Sequence, residues 1–169
     1  MRFDLLPFSP QLIQARWEFG KLPSEELPRL AQDALELGYD GKYTRRIAGL
    51  ESPDSFDLQP LMPGFLAELG VTSKLSQRNA GMALARLVAQ AIVDGRVKPY
   101  DGARFIWREI EVELWPNPPE ELLCFVGNAS EYEDSEFYSE QPEDDRKTIA
   151  EEIIRGAREL AATAAQPES

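Results

Sequence analysis

Residues 73–95 read SKLSQRNAGMALARLVAQAIVDG, and this stretch carries the strongest fold signal in the chain. Across residues 80–93 only Arg86 and Gln90 are strongly polar. A helix that is apolar on nearly all sides belongs in the interior of a protein, because a surface helix keeps one polar face. The stretch therefore predicts a central helix over residues 73–94. Its predicted core residues are Leu84, Leu87, Val88, Ala91 and Ile92.

Small residues recur at every fourth position of this helix. Gly81, Ala85 and Ala89 share one face, because residues four apart lie one above another on a helix. A neighbouring helix can approach closely along such a row. The pattern therefore predicts helix packing in the core.

Helix signals recur along the rest of the chain. A capping residue or a proline opens each predicted helix, and glycine closes several of them. Residues 51–60, ESPDSFDLQP, are rich in Ser, Pro and Asp and predict a loop. The other predicted helices cover residues 9–19, 24–37, 40–48, 62–69 and 117–134, and a last helix opens at Pro142 with one apolar face of Ile149, Ile153, Ala157, Leu160 and Ala164.

The segment VKPYDGARFIWREIEVELW, residues 97–115, carries two periods at once. Ala103, Ile106, Trp107 and Ile110 have helical spacing, which predicts a helix with Trp107 buried. The residues after it alternate between apolar side chains and glutamates, which is the period of a strand. We favour the helix from its neighbours, and a small hairpin at residues 109–126 stays open as the alternative.

These signals together predict an all-α fold. At 169 residues the chain is most simply one domain. We predict a single-domain orthogonal helical bundle of about six to eight helices over residues 1–169. The C-terminal tail, residues 163–169, is expected to fray.

The acidic charge is concentrated in one part of the chain. Residues 1–100 carry 12 basic and 12 acidic side chains, whereas residues 101–169 carry 6 basic and 18 acidic ones, so the whole net charge of −12 lies in the second part. This argues against nucleic acid and anionic membrane surfaces, which require clustered Lys and Arg. The sequence contains no run of 18 apolar residues, so it does not predict a membrane span.

Cys124 is the chain's one cysteine, so a disulfide framework within the chain is excluded. It lies in the apolar run LLCFV and is expected to be buried as a small hydrophobic residue. A lone reduced thiol is typical of a cytoplasmic protein, which is the localisation that we predict. The sequence leaves the oligomeric state open.

The absence of histidine limits the catalytic and metal-binding sites that the chain can form. Ser-His-Asp and Cys-His catalysis and the HExxH zinc site are excluded. The chain also lacks the glycine-rich nucleotide loops and the Asp-rich calcium loop, so we predict no cofactor. Carboxylates are the remaining side chains that could form a functional site.

Residues 131–145, EYEDSEFYSEQPEDD, hold eight carboxylates and no basic residue. Tyrosine is frequent at interaction hot spots, and negative charge speeds encounter with a basic partner. The stretch therefore predicts a partner-binding surface, although the aromatics can equally fold back onto the helices while the acids face water. The predicted partner-binding residues are Glu131, Tyr132, Glu133, Asp134, Glu136, Phe137 and Tyr138, and residues 135–141 are expected to connect two helices.

A metal site is the alternative use of these acids. On helices, Glu109 and Glu113 would share one face, and Glu131 and Asp134 would share another. Four carboxylates on two facing helices could hold Mg²⁺, which prefers oxygen ligands. The alternative function is therefore a Mg²⁺-dependent hydrolase with a carboxylate site carried on helices.

The leading hypothesis from sequence is non-enzymatic. The composition favours an acidic cytoplasmic protein that acts by protein–protein contact, as an inhibitor or immunity-type partner of a basic protein. A solvated acidic surface that serves solubility alone is the third interpretation.

Overall fold

The computed structural model describes residues 3–138 and 141–163, without the side chains of Glu136, Phe137 and Pro142. Within these residues there are nine α-helices and no strand, which confirms the all-α prediction. The helices are α1 (Pro10–Glu18), α2 (Leu27–Glu36), α3 (Lys42–Ala48), α4 (Ser55–Leu58), α5 (Met62–Glu68), α6 (Gln77–Val93), α7 (Pro99–Phe105), α8 (Leu123–Tyr138) and α9 (Pro142–Ala162). In the same residues, no helix combines the length and the apolar character needed to cross a membrane.

The helix beyond the predicted number is α4, which lies inside the predicted loop 51–60. Asp54 caps it, because its side chain accepts hydrogen bonds from the backbone N–H groups of Phe56 and Asp57. Asp57 reaches back to the backbone of Asp54, and the pair forms a capping box. A reciprocal cap of this kind stabilises one helical turn in a segment whose composition is typical of a loop.

Local capping sets several of the helix ends. The Ser9 hydroxyl accepts a hydrogen bond from the Leu12 N–H at 3.1 Å, and Pro10 follows at the first helical position, as predicted. The central helix begins later than predicted, at Gln77, where the Ser76 hydroxyl accepts from the Asn79 N–H at 3.3 Å. Its predicted start at residue 73 was therefore wrong by about one turn.

The chain divides into two compact units, residues 8–80 and residues 1–7 with 81–169. The unit of residues 8–80 has its own apolar core, in which α2 packs on α3 and α3 on α5. The largest fully buried side chains of this core are Ile13, Leu27, Ile47, Leu58, Met62 and Phe65.

In the unit of residues 1–7 with 81–169, α7, α8 and α9 pack on one another. The predicted apolar face of α9 is buried at Ile149, Ile153, Ala157 and Leu160, while Ala164 lies outside the described residues. Most of the predicted residues 163–169 of the tail also lie outside them. Cys124 is exposed, so its predicted burial is wrong, although its thiol lies against Gly156.

The helix α6 is buried on most of its sides. Leu84, Ala85, Val88 and Ala89 are buried, and so is Gly81, which places the small-residue row in the interior. Leu87 is only half-buried, and its predicted core position is wrong. It lies next to Arg86 and within one turn of Gln90, the two polar residues of the helix, and therefore belongs to the stripe that faces water.

The ambiguous segment 97–126 is helical but irregular. After α7 the backbone forms a π-helix over Ile106–Glu111 and a 3₁₀ turn over Val112–Leu114. The possible hairpin at 109–126 was wrong, because after these two elements the backbone forms a 3₁₀ turn over Glu120–Leu122 and then α8, with no strand between residues 109 and 126. Trp107 is half-buried rather than buried, with the Arg108 guanidinium 3.7 Å from its ring centre.

Proline sets the start of α8. The predicted start at residue 117 was wrong, because α8 begins at Leu123 after a 3₁₀ turn over Glu120–Leu122. Residues 116, 118 and 119 are prolines, which bias the residues before them away from helical geometry. At its other end α8 continues to Tyr138, so most of the predicted connection 135–141 is helical.

Candidate functional site

The acidic stretch runs along the last two turns of α8 and into the first turn of α9. On α8, Glu131 and Asp134 are exposed, and Tyr138 is 83% exposed. Glu136 and Phe137 belong to α8 by their backbone, but their side chains lie outside those the structure describes. Of the predicted partner-binding residues, Glu131, Asp134 and Tyr138 therefore face water.

Glu133 has a different environment on the same helix. Its carboxylate accepts a hydrogen bond from the Tyr100 hydroxyl at 2.8 Å and from the Arg108 guanidinium at 3.3 Å. Arg104 lies 3.8 Å away on α7. Burial, together with the hydrogen bond to Glu133 and its negative charge, raises the pKa of the Tyr100 hydroxyl. Glu133 thus joins α7 and the π-helix to α8.

Tyr132 is also engaged within the unit. Its ring stacks on that of Tyr100, with 4.2 Å between the ring centres. The Arg146 guanidinium, from α9, lies 5.0 Å from the Tyr132 ring centre on account of the packing of α8 on α9. Tyr132 is therefore one of the aromatics that fold back onto neighbouring helices.

The four residues of the alternative metal site are not brought together. Among the described residues, no group of three or more His, Cys, Asp or Glu side chains is placed to hold a metal ion. Glu109 is half-buried beside a cleft that also contains Arg104 and Arg108, while Glu113, Glu131 and Asp134 are exposed. The predicted pairing of Glu109 with Glu113 assumed α-helical spacing, but a π-helix ends and a 3₁₀ turn begins between them.

Exposed apolar side chains accompany a second group of acids. Val112 is 53%, Trp115 72% and Leu123 48% exposed, all within twelve residues of chain. Glu120 and Glu121, in the 3₁₀ turn before α8, are exposed as well. We call the segment 112–123 the Trp115 segment. It places a large aromatic in water beside carboxylates.

The Trp115 segment was not among the functional residues predicted from the sequence. The alternation of apolar residues and glutamates over residues 109–114 indicated only a helix or a strand, and the exposure of Val112 and Trp115 was not predicted. The available signal was Trp115 itself, followed by PNPP, where repeated prolines prevent regular secondary structure. An aromatic in such a segment has few local neighbours that could cover it.

The chain was compared with models of known protein families, with curated protein sequences and with solved structures, and none of the three comparisons gives a match.

Proposed function

We propose that this protein acts by contact with a basic protein partner. The observation that carries the proposal is Tyr138, which is 83% exposed at the end of a helix whose solvent-facing side also presents Glu131 and Asp134. Large aromatics are usually covered in a folded protein, and tyrosine dominates many interaction hot spots. We define the acidic surface as Glu131, Asp134 and Tyr138 with the exposed acids Glu143, Asp144 and Asp145.

The charges determine the chemistry of the partner. Carboxylates at the rim of an interface attract a basic surface over several ångströms and raise the rate of association. The effect falls with salt, because the screening length is about 8 Å at physiological ionic strength. The acidic surface thus supports a partner whose contact face is rich in Lys and Arg, as an inhibitor or immunity-type protein would require.

The setting proposed for this activity is the cytoplasm. Cys124 is the single cysteine of the sequence, and its free thiol lies against Gly156. Burial of the thiol raises its pKa, which keeps it protonated and less reactive than an ordinary cysteine. A reducing compartment is compatible with a free thiol of this kind.

Affinity capture with matched variants tests the proposal. The surface variant is Glu131→Gln/Asp134→Asn/Tyr138→Ala, and the control is Glu36→Gln/Glu51→Gln/Phe56→Ala. Both lose two exposed carboxylates and one exposed aromatic, because Phe56 is 85% exposed and Glu36 and Glu51 are exposed too. Proteins from the native host that bind each form are identified by mass spectrometry.

We expect the wild type and the control to retain the same basic protein and the surface variant to lose it. For the purified pair, the association rate should fall steeply as NaCl is raised, while the dissociation rate changes less. Equal retention by both variants, or a retained partner with an acidic surface, would contradict the proposal.

A further inference from the structure

A second candidate site lies in a cleft of the unit formed by residues 1–7 with 81–169. The cleft has a volume of about 680 Å³, within the range of roughly 300–1,000 Å³ that is typical of small-molecule sites. Arg96, Lys98, Arg104 and Arg108 contribute to its walls. Among the described residues that line the cleft, these four cations face two carboxylates, Asp101 and Glu109, so this lining has a net positive charge, opposite to that of the whole chain.

The arginines of the cleft are held only loosely by acids. The Arg108 guanidinium lies 3.3 Å from the Glu133 carboxylate, and the Arg104 guanidinium lies 3.8 Å from the same carboxylate. The Arg96 guanidinium lies 3.7 Å from the Asp94 carboxylate. Strong charge-assisted hydrogen bonds are shorter, at about 2.7–2.9 Å. The side chains of Arg104 and Arg108 are 60% and 50% exposed. An incoming anion can therefore reach both guanidinium groups.

Arg104 and Arg108 are four residues apart, across the junction of α7 and the π-helix. Both side chains reach the carboxylate of Glu133, which shows that one anionic group can lie near the two of them together. A guanidinium group can donate two parallel hydrogen bonds to the oxygens of one phosphate or carboxylate group. The pair of Arg104 and Arg108 should therefore prefer a ligand that carries such a group. Glu133 occupies that position as an internal competitor.

The cleft also has an apolar part. Val97 and Phe105 line it and are largely buried, at 3% and 7% exposure, while Leu5 is 45% exposed at its edge. Phe3 packs edge-on against Phe105, with 5.3 Å between ring centres, and this contact holds the N-terminal turn beside the cleft. A ligand with only charged groups would leave this apolar surface unused.

We propose that the cleft binds a small organic anion, with a phosphate or carboxylate group held by Arg104 and Arg108 and an apolar body placed against Phe105 and Val97. The net charge of −12 does not prevent this, because charges more than about 8 Å away are largely screened at physiological ionic strength. The nearby cations, with Glu133 as their competitor, decide the affinity.

Calorimetric titration with simple probes tests the site. The probes are 1-naphthyl phosphate, 1-naphthoate, inorganic phosphate and 1-naphthol, which separate the phosphate, the carboxylate and the apolar body. We expect one of the two naphthyl anions to bind more tightly than inorganic phosphate and more tightly than naphthol. Chemical-shift changes in ¹H–¹⁵N spectra should centre on residues 96–108.

Matched variants decide whether these arginines carry the binding. Arg104→Gln/Arg108→Gln should weaken binding by on the order of tenfold, as expected for lost hydrogen bonds to a charged group. Arg155→Gln/Arg158→Gln makes the same change in net charge at two exposed arginines of α9 and should leave binding unchanged. Glu133→Gln should tighten binding, because it removes the competing charge, whereas Glu131→Gln on the same helix should have little effect.

Three outcomes would overturn the proposal. Equal weakening by the two arginine variants would indicate general electrostatic attraction, and naphthol binding as tightly as both anions would indicate an apolar site. Self-association that disappears in Arg104→Gln/Arg108→Gln would make the cleft an interface between copies of the chain. Spectra of each variant that match the wild type outside residues 96–108 establish that the fold is retained.

Discussion

The carboxylate of Glu68, on α5, lies at the N-terminus of α3 and accepts a hydrogen bond from the Thr44 N–H at 2.8 Å. It also accepts from the Tyr43 N–H at 3.0 Å and from the Thr44 hydroxyl at 2.9 Å. The residue at the N-cap of α3 is Gly41, which has no side chain to accept these hydrogen bonds. Glu68 therefore replaces the missing local cap from a different helix.

This contact predicts a pH-dependent contribution to stability. Burial alone would raise the pKa of Glu68, but the hydrogen bonds from Tyr43 and Thr44 outweigh it and lower the pKa below its ordinary value of 4.5. A carboxylate with a lowered pKa stabilises the fold above its unfolded pKa, and this contribution disappears as the pH falls through the folded value. Glu68→Gln should cost about 1 kcal/mol at pH 7, the usual effect of losing an N-cap.

Thermal unfolding of the wild type and Glu68→Gln between pH 7 and pH 3 measures this contribution. The difference in Tm should be constant above about pH 5 and should shrink at lower pH. Glu36→Gln, at an exposed position of α2, serves as the control and should show no such trend. A difference in Tm between the wild type and Glu68→Gln that does not change with pH would contradict the proposal that Glu68 caps α3 as a carboxylate.

Two helical glycines should respond to alanine in opposite directions. A Cβ on Gly102 of α7 would lie 2.6 Å from Cδ1 of buried Ile92, whereas a Cβ on Gly127 of α8 would meet no atom within 4 Å. Gly127→Ala should stabilise the protein by roughly 0.5–1 kcal/mol, since alanine favours helix over glycine. Gly102→Ala should destabilise it by about 1–3 kcal/mol through overpacking.

Denaturant unfolding of both variants, and of Gly102→Ala/Ile92→Val, checks this packing. The valine lacks the Cδ1 methyl that a Cβ at position 102 would meet, so the double variant should recover part of the loss. Stabilisation by Gly102→Ala alone would show that α7 and Ile92 are not in close contact.

Burial along α6 predicts unequal effects for two leucines. Leu84 is fully buried, and Leu84→Ala should cost about 2–5 kcal/mol, as for other buried leucines. Leu87 is half-buried, so Leu87→Ala leaves a smaller cavity and should cost clearly less. Chemical denaturation of the two variants gives the comparison, and an equal cost would restore the sequence-based prediction that Leu87 belongs to the core.

These cases indicate what the sequence could predict. The Ser9 cap of α1 and the buried face of α9 depend on residues within a few positions of each other, and both were predicted correctly. The cap on α3 comes from Glu68, 24 residues beyond Thr44, and leaves no local pattern. Leu87 was misassigned because its side chain is apolar, and only its packed neighbours distinguish its face from that of Leu84.

The candidate site was harder to predict than the fold. The sequence located the acidic stretch, but it could not separate exposed Glu131 from Glu133, which binds Tyr100 and Arg108. That difference depends on the packing of α7 and the π-helix on α8, which brings Tyr100 and Arg108 to Glu133 and leaves no local pattern in the sequence. The exposure of Trp115 likewise depends on tertiary structure, because no other element that the structure describes packs over most of its side chain.

Added Mg²⁺ should act on this protein only as a screening ion. With no group of three carboxylates placed for a metal among the described residues, Mg²⁺ and NaCl at equal ionic strength should change Tm alike. Differential scanning fluorimetry of the wild type and Glu131→Gln measures both series. A saturable rise in Tm specific to Mg²⁺ and lost in Glu131→Gln would favour the hydrolase alternative, since binding to the native state adds about 2.7 kcal/mol at a hundredfold excess over Kd.

Trp115 should contribute to binding without contributing to stability. Its side chain is 72% exposed, so Trp115→Ala should change the free energy of unfolding by no more than about 0.5 kcal/mol. If the partner covers the Trp115 segment, the same variant should weaken binding by about 2 kcal/mol or more, the usual size of a hot-spot effect. Phe56→Ala, at an exposed aromatic of the other unit, is the control and should change neither quantity. Denaturation curves and calorimetric titration with the captured partner give the two numbers. A large loss of stability in Trp115→Ala would show that the tryptophan supports the fold, and unchanged binding would place the interface elsewhere.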